Sequence, residues 1–167
     1  MGSGYNAYME SVDTLKLIKT LSTYHFRMKT ILKLLEDMYE LRANYDNYAT
    51  LDLLTLDTAN KSASLYKMGS TTTYVMHNNS LISYQNKALP LKLDEMNSSF
   101  TFDINSGDII FLLSDGITDF VNQKEFESLI DASLSPDILC NKIIEYIKTK
   151  EKSKLKDDLS LIVIKSI

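Results

Sequence analysis

The residues of this chain best suited to chemistry are carboxylates at the ends of apolar runs. Asp115 comes after the run Ile109-Ile110-Phe111-Leu112-Leu113 and Ser114, and just before Gly116. An acidic side chain where a dry strand emerges can hold a hard cation through oxygen. Gly116 lets the backbone approach closely, and its carbonyl offers one more oxygen. Asp157 and Asp158 stand immediately before a second apolar run, residues 159–164. If the two runs are neighbouring strands, these carboxylates converge at one end of a sheet. Taken singly, Ser114-Asp115-Gly116 also reads as a strand-ending turn, and Asp157-Asp158 as a solvated one. Their occurrence at the two most apolar runs is what raises the metal reading.

Other chemistries find less support. The two histidines are His25 and His77, with no cysteine or second histidine at ligand spacing, and both read as surface residues. Ser70-Thr71-Thr72-Thr73 reads as a polar turn, or as a loop lining a site. No nucleophile elbow, Walker loop or dinucleotide fingerprint is present. The single cysteine, Cys140, cannot form an internal disulfide or a thiolate cluster, which suits a reducing cytoplasm.

Elements that could position the carboxylates follow from periodicity. Tyr8, Val12, Leu15, Ile18 and Leu21 recur at three and four, predicting an amphipathic helix over 5–24. Met28, Ile31, Leu32, Leu35, Met38 and Tyr39 predict a second over 26–42. Alternation predicts strands at 49–57, 62–68, 72–76, 81–84 and 100–104, with turns at 58–61 and at Asn78-Asn79, since Asn tolerates positive φ. The runs at 109–113 and 159–164 are apolar on both faces and read as buried strands. Helices are expected over 124–132 and 136–148, the latter opened by Ser135-Pro136, with Leu139, Ile143, Tyr146 and Ile147 inward and Cys140 packed as a small hydrophobe. This order predicts an α+β fold, an antiparallel sandwich with helices packed outside.

Composition sets the outer bounds. The chain has 167 residues, 44% apolar and 24% charged, enough for one globular domain. Eighteen Lys and Arg against twenty-two Asp and Glu give a net charge of −4, and no basic stripe offers a nucleic-acid surface. No apolar run reaches membrane-spanning length.

Taken in order, several motifs resemble one family: Met1-Gly2-Ser3-Gly4, Tyr48-Ala49-Thr50-Leu51-Asp52-Leu53, Lys67-Met68-Gly69-Ser70-Thr71, Leu89-Pro90-Leu91, Ser106-Gly107-Asp108, Leu113-Ser114-Asp115-Gly116-Ile117 and Lys156-Asp157-Asp158-Leu159-Ser160. Together they are similar to bacterial metal-dependent serine phosphatases of the protein phosphatase 2C (PPM) superfamily, in the sporulation stage II protein E-like branch with its stress-response relatives. The resemblance implies a β-sandwich between helix pairs and a two-metal Mn2+ or Mg2+ site. It makes Asp115 and Asp157 metal ligands, with Gly116 beside them and Asp158 as a weaker candidate, since the family tolerates Asn there. It implies a metal-held water attacking phosphoserine in line, with no covalent phosphoenzyme. The implied substrate is a small phosphorylated regulatory protein of the anti-sigma-factor antagonist type, and nucleic acid is not a partner.

The resemblance also has departures. The family places an Asp-Gly pair directly before the Met-Gly-x-Gly turn, and that aspartate bridges both metals. This sequence begins at Met1, after that position, and Thr72-Thr73 replace the usual proline after Gly69. The expectation is that 1–167 is the C-terminal part of a single phosphatase domain, N-terminally truncated as a fragment, by a misassigned start or behind a tag. Its helical pair would span 5–42, and the sandwich and outer helices 48–167. The alternative is an inactive phosphatase-like module that regulates a partner by docking. Further expectations are homodimerisation through an uncovered sheet edge, and a cytoplasmic location, on the membrane's cytoplasmic face if the parent is membrane-attached. The helical pair is expected to act as a regulatory switch, tuned by Leu34 and Leu41 off the main stripe of the second helix.

Overall fold

A computed structural model describes residues 5–41, 50–85, 98–150 and 158–167. Its elements run α1 (Tyr5–Thr23), α2 (Met28–Leu41), β1 (Leu51–Asp57), β2 (Ser62–Met68), β3 (Thr73–His77), β4 (Ser80–Tyr84), β5 (Ser98–Asp103), β6 (Ile109–Leu113), α3 (Asp115–Thr118), α4 (Gln123–Leu129), α5 (Pro136–Lys150) and β7 (Leu161–Lys165). The strands form two sheets, with hydrogen-bonded orders β1-β2-β5 and β4-β3-β6-β7. The α+β class, helices together with antiparallel sheets, is therefore present. β2 and β6 occupy the expected ranges. Asn78 and Asn79 take φ of 48° and 61°, which turns β3 back onto β4 in a tight hairpin. The chain divides into two compact units, one comprising Met1–Leu53, Tyr66–Ser70 and Lys87–Ser99, the other Leu54–Leu65, Thr71–Asn86 and Phe100–Ile167.

In the first unit α1 and α2 pack with the start of β1 and the end of β2. Its core holds Ile18, Ile31, Leu32, Leu35, Tyr39, Leu51 and Met68. α2 buries the stripe that its periodicity marks. The face of α1 differs from expectation: Ile18 is buried and Leu17 and Leu21 pack beside it, while Tyr8 and Leu15 stay 63% exposed and Val12 36%. The physical reason is Thr14, which is buried. Its hydroxyl donates to the Glu10 carbonyl at 2.7 Å and lies 2.6 Å from the Tyr39 hydroxyl on α2. This bonded pair turns the side of α1 carrying Thr14 and Ile18 toward α2. The same unit buries a cation. The Lys67 side chain has no exposure, and its Nζ lies 2.6 Å from Asp52 Oδ1. That oxygen also accepts the Ser70 hydroxyl at 2.5 Å. Burial pushes the Lys67 ammonium pKa down, opposed by the bond to Asp52.

In the second unit the four-stranded sheet carries the main core. Tyr74, Met76, Ile109, Phe111 and Leu113 pack with Ile117, Phe126, Leu139, Ile143 and Ile147 from the helices. Tyr74 stacks on Phe126, and Phe111 meets the same ring edge-on. The stripe Leu139, Ile143 and Ile147 of α5 is fully buried, with Tyr146 and Cys140 half-buried. On the sheet's other face, Tyr84 of β4 packs against Phe100 and Phe102 of β5. Two further readings are corrected here. β7 is not covered on both faces, since Ile162 is 56% exposed, and among the described residues it ends the sheet order. His77 is not a free surface residue, because its Nδ1 lies 2.8 Å from Asp108 Oδ2, an almost fully buried carboxylate.

The buried Lys67–Asp52 pair yields a stability test. Removing one partner strands a charge in the core, so Lys67→Met or Asp52→Leu alone should cost about 3–5 kcal/mol. The double substitution should be markedly less damaging than the sum of the two. Chemical denaturation of the four proteins measures the coupling, and simple additivity would contradict the assignment.

Candidate metal centre

The site is built where β6 stops being a strand. β6 lies between β3 and β7, with Ile109, Ile110, Phe111 and Leu113 buried. The condition set by the sequence is therefore met: the strand before Asp115 and the strand after Asp158 are neighbours, in register from Ile109↔Lys165 to Leu113↔Leu161. The expected strand-ending turn at Ser114-Asp115-Gly116 is instead the entry to a helical turn, α3. Asp115 is its first residue, half-buried, and its Oδ1 accepts the Gly116 N–H at 3.1 Å.

Ser114 holds this junction together. Its carbonyl accepts the N–H groups of Ile117 and Thr118, at 3.0 and 3.3 Å, and so belongs to α3. Its N–H still donates to the Ser160 carbonyl at 3.0 Å, extending the ladder to β7. The Ser114 hydroxyl accepts the Ser160 N–H at 2.9 Å and donates to the Asp158 carbonyl at 3.2 Å. The segment that follows Asp157 is thereby tied to the residue that precedes Asp115.

Gly116 completes the junction. A Cβ on Gly116 would collide with the Asp158 carbonyl oxygen and lie 3.3 Å from a Leu159 methyl carbon. The glycine thus admits the backbone of the incoming strand, at a φ that any residue could adopt. On the other flank, Thr71 donates its hydroxyl to the Leu113 carbonyl at 2.6 Å. The sequence marked 70–73 only as a polar turn or a loop beside a site. Nothing in its spacing identified Thr71 as the residue that reaches β6, because that contact spans 42 positions.

The sequence-selected residues are distributed as follows. Asp115, Gly116 and Asp158 meet at one end of the β6–β7 pair, with Asp158 exposed at its surface. Asp157 lies outside the described residues. Leu34 and Leu41 lie away from the core side of α2, 41% and 88% exposed. Among the described residues no three Asp, Glu, His or Cys side chains gather as a metal site. The donors that are present, a half-buried carboxylate and the Asp158 backbone carbonyl packed against Gly116, have the hard-oxygen character suited to Mg2+ or Mn2+. They fit such a group as part of its donor set. A cavity of about 360 Å3 lies at the other end of β6, beside Asp108, Ile110, Leu56 and Ile104, and so is not at this site.

The family model described as "Stage II sporulation protein E (SpoIIE)" matches residues 1–166. The chain belongs to the SpoIIE family. The stage II sporulation protein E of Bacillus subtilis strain 168 is 24% identical over 174 residues, covering 99% of this chain and 21% of that protein. The chain therefore spans about a fifth of that curated relative. Among solved structures, the PP2C phosphatase domain of Bacillus subtilis SpoIIE, with a fragment of its regulatory domain, superimposes with a TM-score of 0.84 at 23% identity, over 99% of this chain and 52% of that one. RsbX in complex with magnesium gives 0.73 at 18% identity, over 98% and 75%. At these identities the likeness speaks for the fold, which is that of PP2C phosphatase domains. It accounts for the helical pair, the two sheets and the outer helices of this SpoIIE-family chain in one order.

The Gly116 contact can be tested without any ligand. Gly116→Ala must displace the Asp158 backbone, and is expected to cost about 1–3 kcal/mol by overpacking. Urea unfolding measures this, and a neutral result would show that the approach of residues 158–159 is not needed.

Proposed function

We propose that this chain is a metal-dependent phosphatase domain that hydrolyses phosphoserine on a small regulatory protein, of the anti-sigma-factor antagonist type. The observation that carries this reading is the junction of Asp115 and Gly116 with the backbone of Asp158, at the shared end of two paired strands. Membership of the SpoIIE family supports it. Asp115 and Asp157 would hold Mn2+ or Mg2+, with the Gly116 carbonyl adjacent and Asp158 as a further candidate. A bound divalent cation supplies charge stabilisation and an acidified water. In the net reaction a water oxygen forms a bond to phosphorus, the ester oxygen leaves, and the serine hydroxyl takes up a proton.

The chain's own residues contribute position and charge. Asp115 is held at the strand-to-helix junction through the bonds of Ser114. Gly116 leaves room for the second segment to come within backbone contact. The net charge of −4 does not favour nucleic acid and leaves recognition of a phosphoprotein to local geometry. Among the described residues no helix is long and apolar enough to cross a membrane. The proposed place of action is the cytoplasm, or the cytoplasmic face of the membrane in a membrane-attached parent.

The helical pair is proposed as a regulatory switch. α1 starts at Tyr5, directly after Met1-Gly2-Ser3-Gly4, the motif with which the family resemblance begins, and that resemblance is the support for a regulatory role of the pair. Leu34 and Leu41 are exposed on α2 and thus free to change neighbours between two packings without opening the core.

Two experiments follow. Asp115→Asn in the full-length protein should lower Mn2+-dependent hydrolysis of a phosphoserine substrate by at least about 100-fold, while the melting temperature is kept. Retained activity would remove Asp115 from the site, and metal binding without turnover in the parent protein would favour the docking module. Leu34→Ala and Leu41→Ala should change activity or Mn2+ affinity without a matching change in stability. If activity in these variants only follows thermal stability, the helices are a scaffold.

A further inference from the structure

We infer that Ser114 and Thr71 are positioning residues for Asp115, holding the strand-to-helix junction from opposite flanks. The inference rests on the metal-site reading of Asp115 given above. On the β3 side, pairing with β6 runs from Met76↔Ile109 to Tyr74↔Phe111. Beyond it the Leu113 carbonyl is held by a side chain, the Thr71 hydroxyl, at 2.6 Å. On the β7 side the difficulty is different. An antiparallel ladder needs both the N–H and the carbonyl of Ser114. The carbonyl is already committed to Ile117 and Thr118 in the first turn of α3. The Ser114 hydroxyl takes its place, accepting the Ser160 N–H at 2.9 Å. With its own proton it reaches the Asp158 carbonyl at 3.2 Å.

The residue before Asp115 therefore belongs to two structures at once. Through its carbonyl it starts the helix that carries Asp115 and Gly116, and through its hydroxyl it continues the sheet that carries the 158–160 segment. A residue without a hydroxyl at 114 cannot do both. It would leave either the Ser160 N–H or the helix entry without a partner. Thr71 fixes the opposite edge, so the last peptides of β6 cannot rotate when the chain turns. Residues that orient ligands in this way typically change metal affinity by 10- to 100-fold when removed.

The test uses the full-length protein and Mn2+ alone as the probe, titrated by calorimetry alongside thermal melts. Ser114→Ala and Thr71→Val should each weaken Mn2+ binding by about tenfold or more. Ser114→Thr and Thr71→Ser, which keep the hydroxyl, should restore affinity to within about threefold of the parent. A core variant remote from the junction, Ile147→Val, supplies the comparison for a stability loss without a positional one, and its Mn2+ affinity should be unchanged. The inference is overturned if Ser114→Ala and Thr71→Val bind Mn2+ like the parent, or if their losses are not rescued by the hydroxyl-keeping variants. Should Ser114→Ala fail to fold, Thr71→Val and Thr71→Ser decide alone. Asp115→Asn separates the two levels. If it still binds Mn2+ like the parent, the metal-site reading fails and the positioning role goes with it. If Asp115→Asn loses Mn2+ while Thr71→Val and Ser114→Ala keep it, only the positioning role falls.

Discussion

A largely desolvated strand has to end, and in this molecule much follows from how β6 ends. β6 is hydrogen-bonded on both sides and packed on both faces, so its five residues are all apolar. Polar groups can appear only where it leaves the core, at Asp108 before it and Asp115 after it. Both carboxylates are handled by side-chain and backbone donors. Asp108 is buried and its Oδ2 accepts the Asn105 N–H while lying 2.8 Å from His77 Nδ1. That pairing closes the turn that feeds the strand, where Gly107 supplies a φ of 91°. Asp115 keeps more solvent and fewer intramolecular donors, which is the condition a carboxylate needs to serve a ligand.

The same constraint explains why small residues surround Asp115. The strand that pairs with β6 must bring its leading segment alongside a chain that is already turning into a helix. A side chain at 116 would occupy the place of the Asp158 carbonyl. A residue at 114 with no hydroxyl would leave a ladder donor, the Ser160 N–H, without its partner in the chain. Ser-Asp-Gly is thus one solution to three simultaneous demands: continue a ladder, begin a helix, and admit a neighbouring backbone.

Much of the fold was legible because its signals are local. The apolar run 109–113 and the alternation over 62–68 gave strands at those positions, and Asn78-Asn79 gave the hairpin. The stripe on α5 was legible for the same reason, three aliphatic residues at fourfold spacing. The misread features depend on distant partners. α1 carries apolar residues on more than one side, and the choice of buried face is made by Thr14 against Tyr39, 25 positions away. His77 looked like a surface residue because Asp108, its partner, is 31 positions on. β7 read as buried from its composition, since a strand's place in the sheet order is decided by its partners and not by its own residues. For the site, Asp115 and Gly116 could be selected from sequence because each ends or admits a strand, whereas Thr71 could not.

The two compact units handle charge in opposite ways, and this bears on what each is able to do. In the second unit the carboxylates lie at the two ends of β6, Asp108 buried beside His77 and Asp115 half-buried at the strand-to-helix junction. In the first, Lys67 is enclosed with Asp52 and Ser70, with the ammonium wholly out of solvent. A buried ion pair of this kind adds little net stability compared with an apolar pair of equal volume. Its effect is on specificity of arrangement: any repacking that separates Lys67 from Asp52 exposes a bare charge to the core. β1 and β2, which carry the two partners, also supply Leu51 and Met68 to the core of α1 and α2. The ion pair therefore fixes the floor on which the helices pack. It leaves freedom only to residues such as Tyr8, Leu15, Leu34 and Leu41, which that core does not enclose.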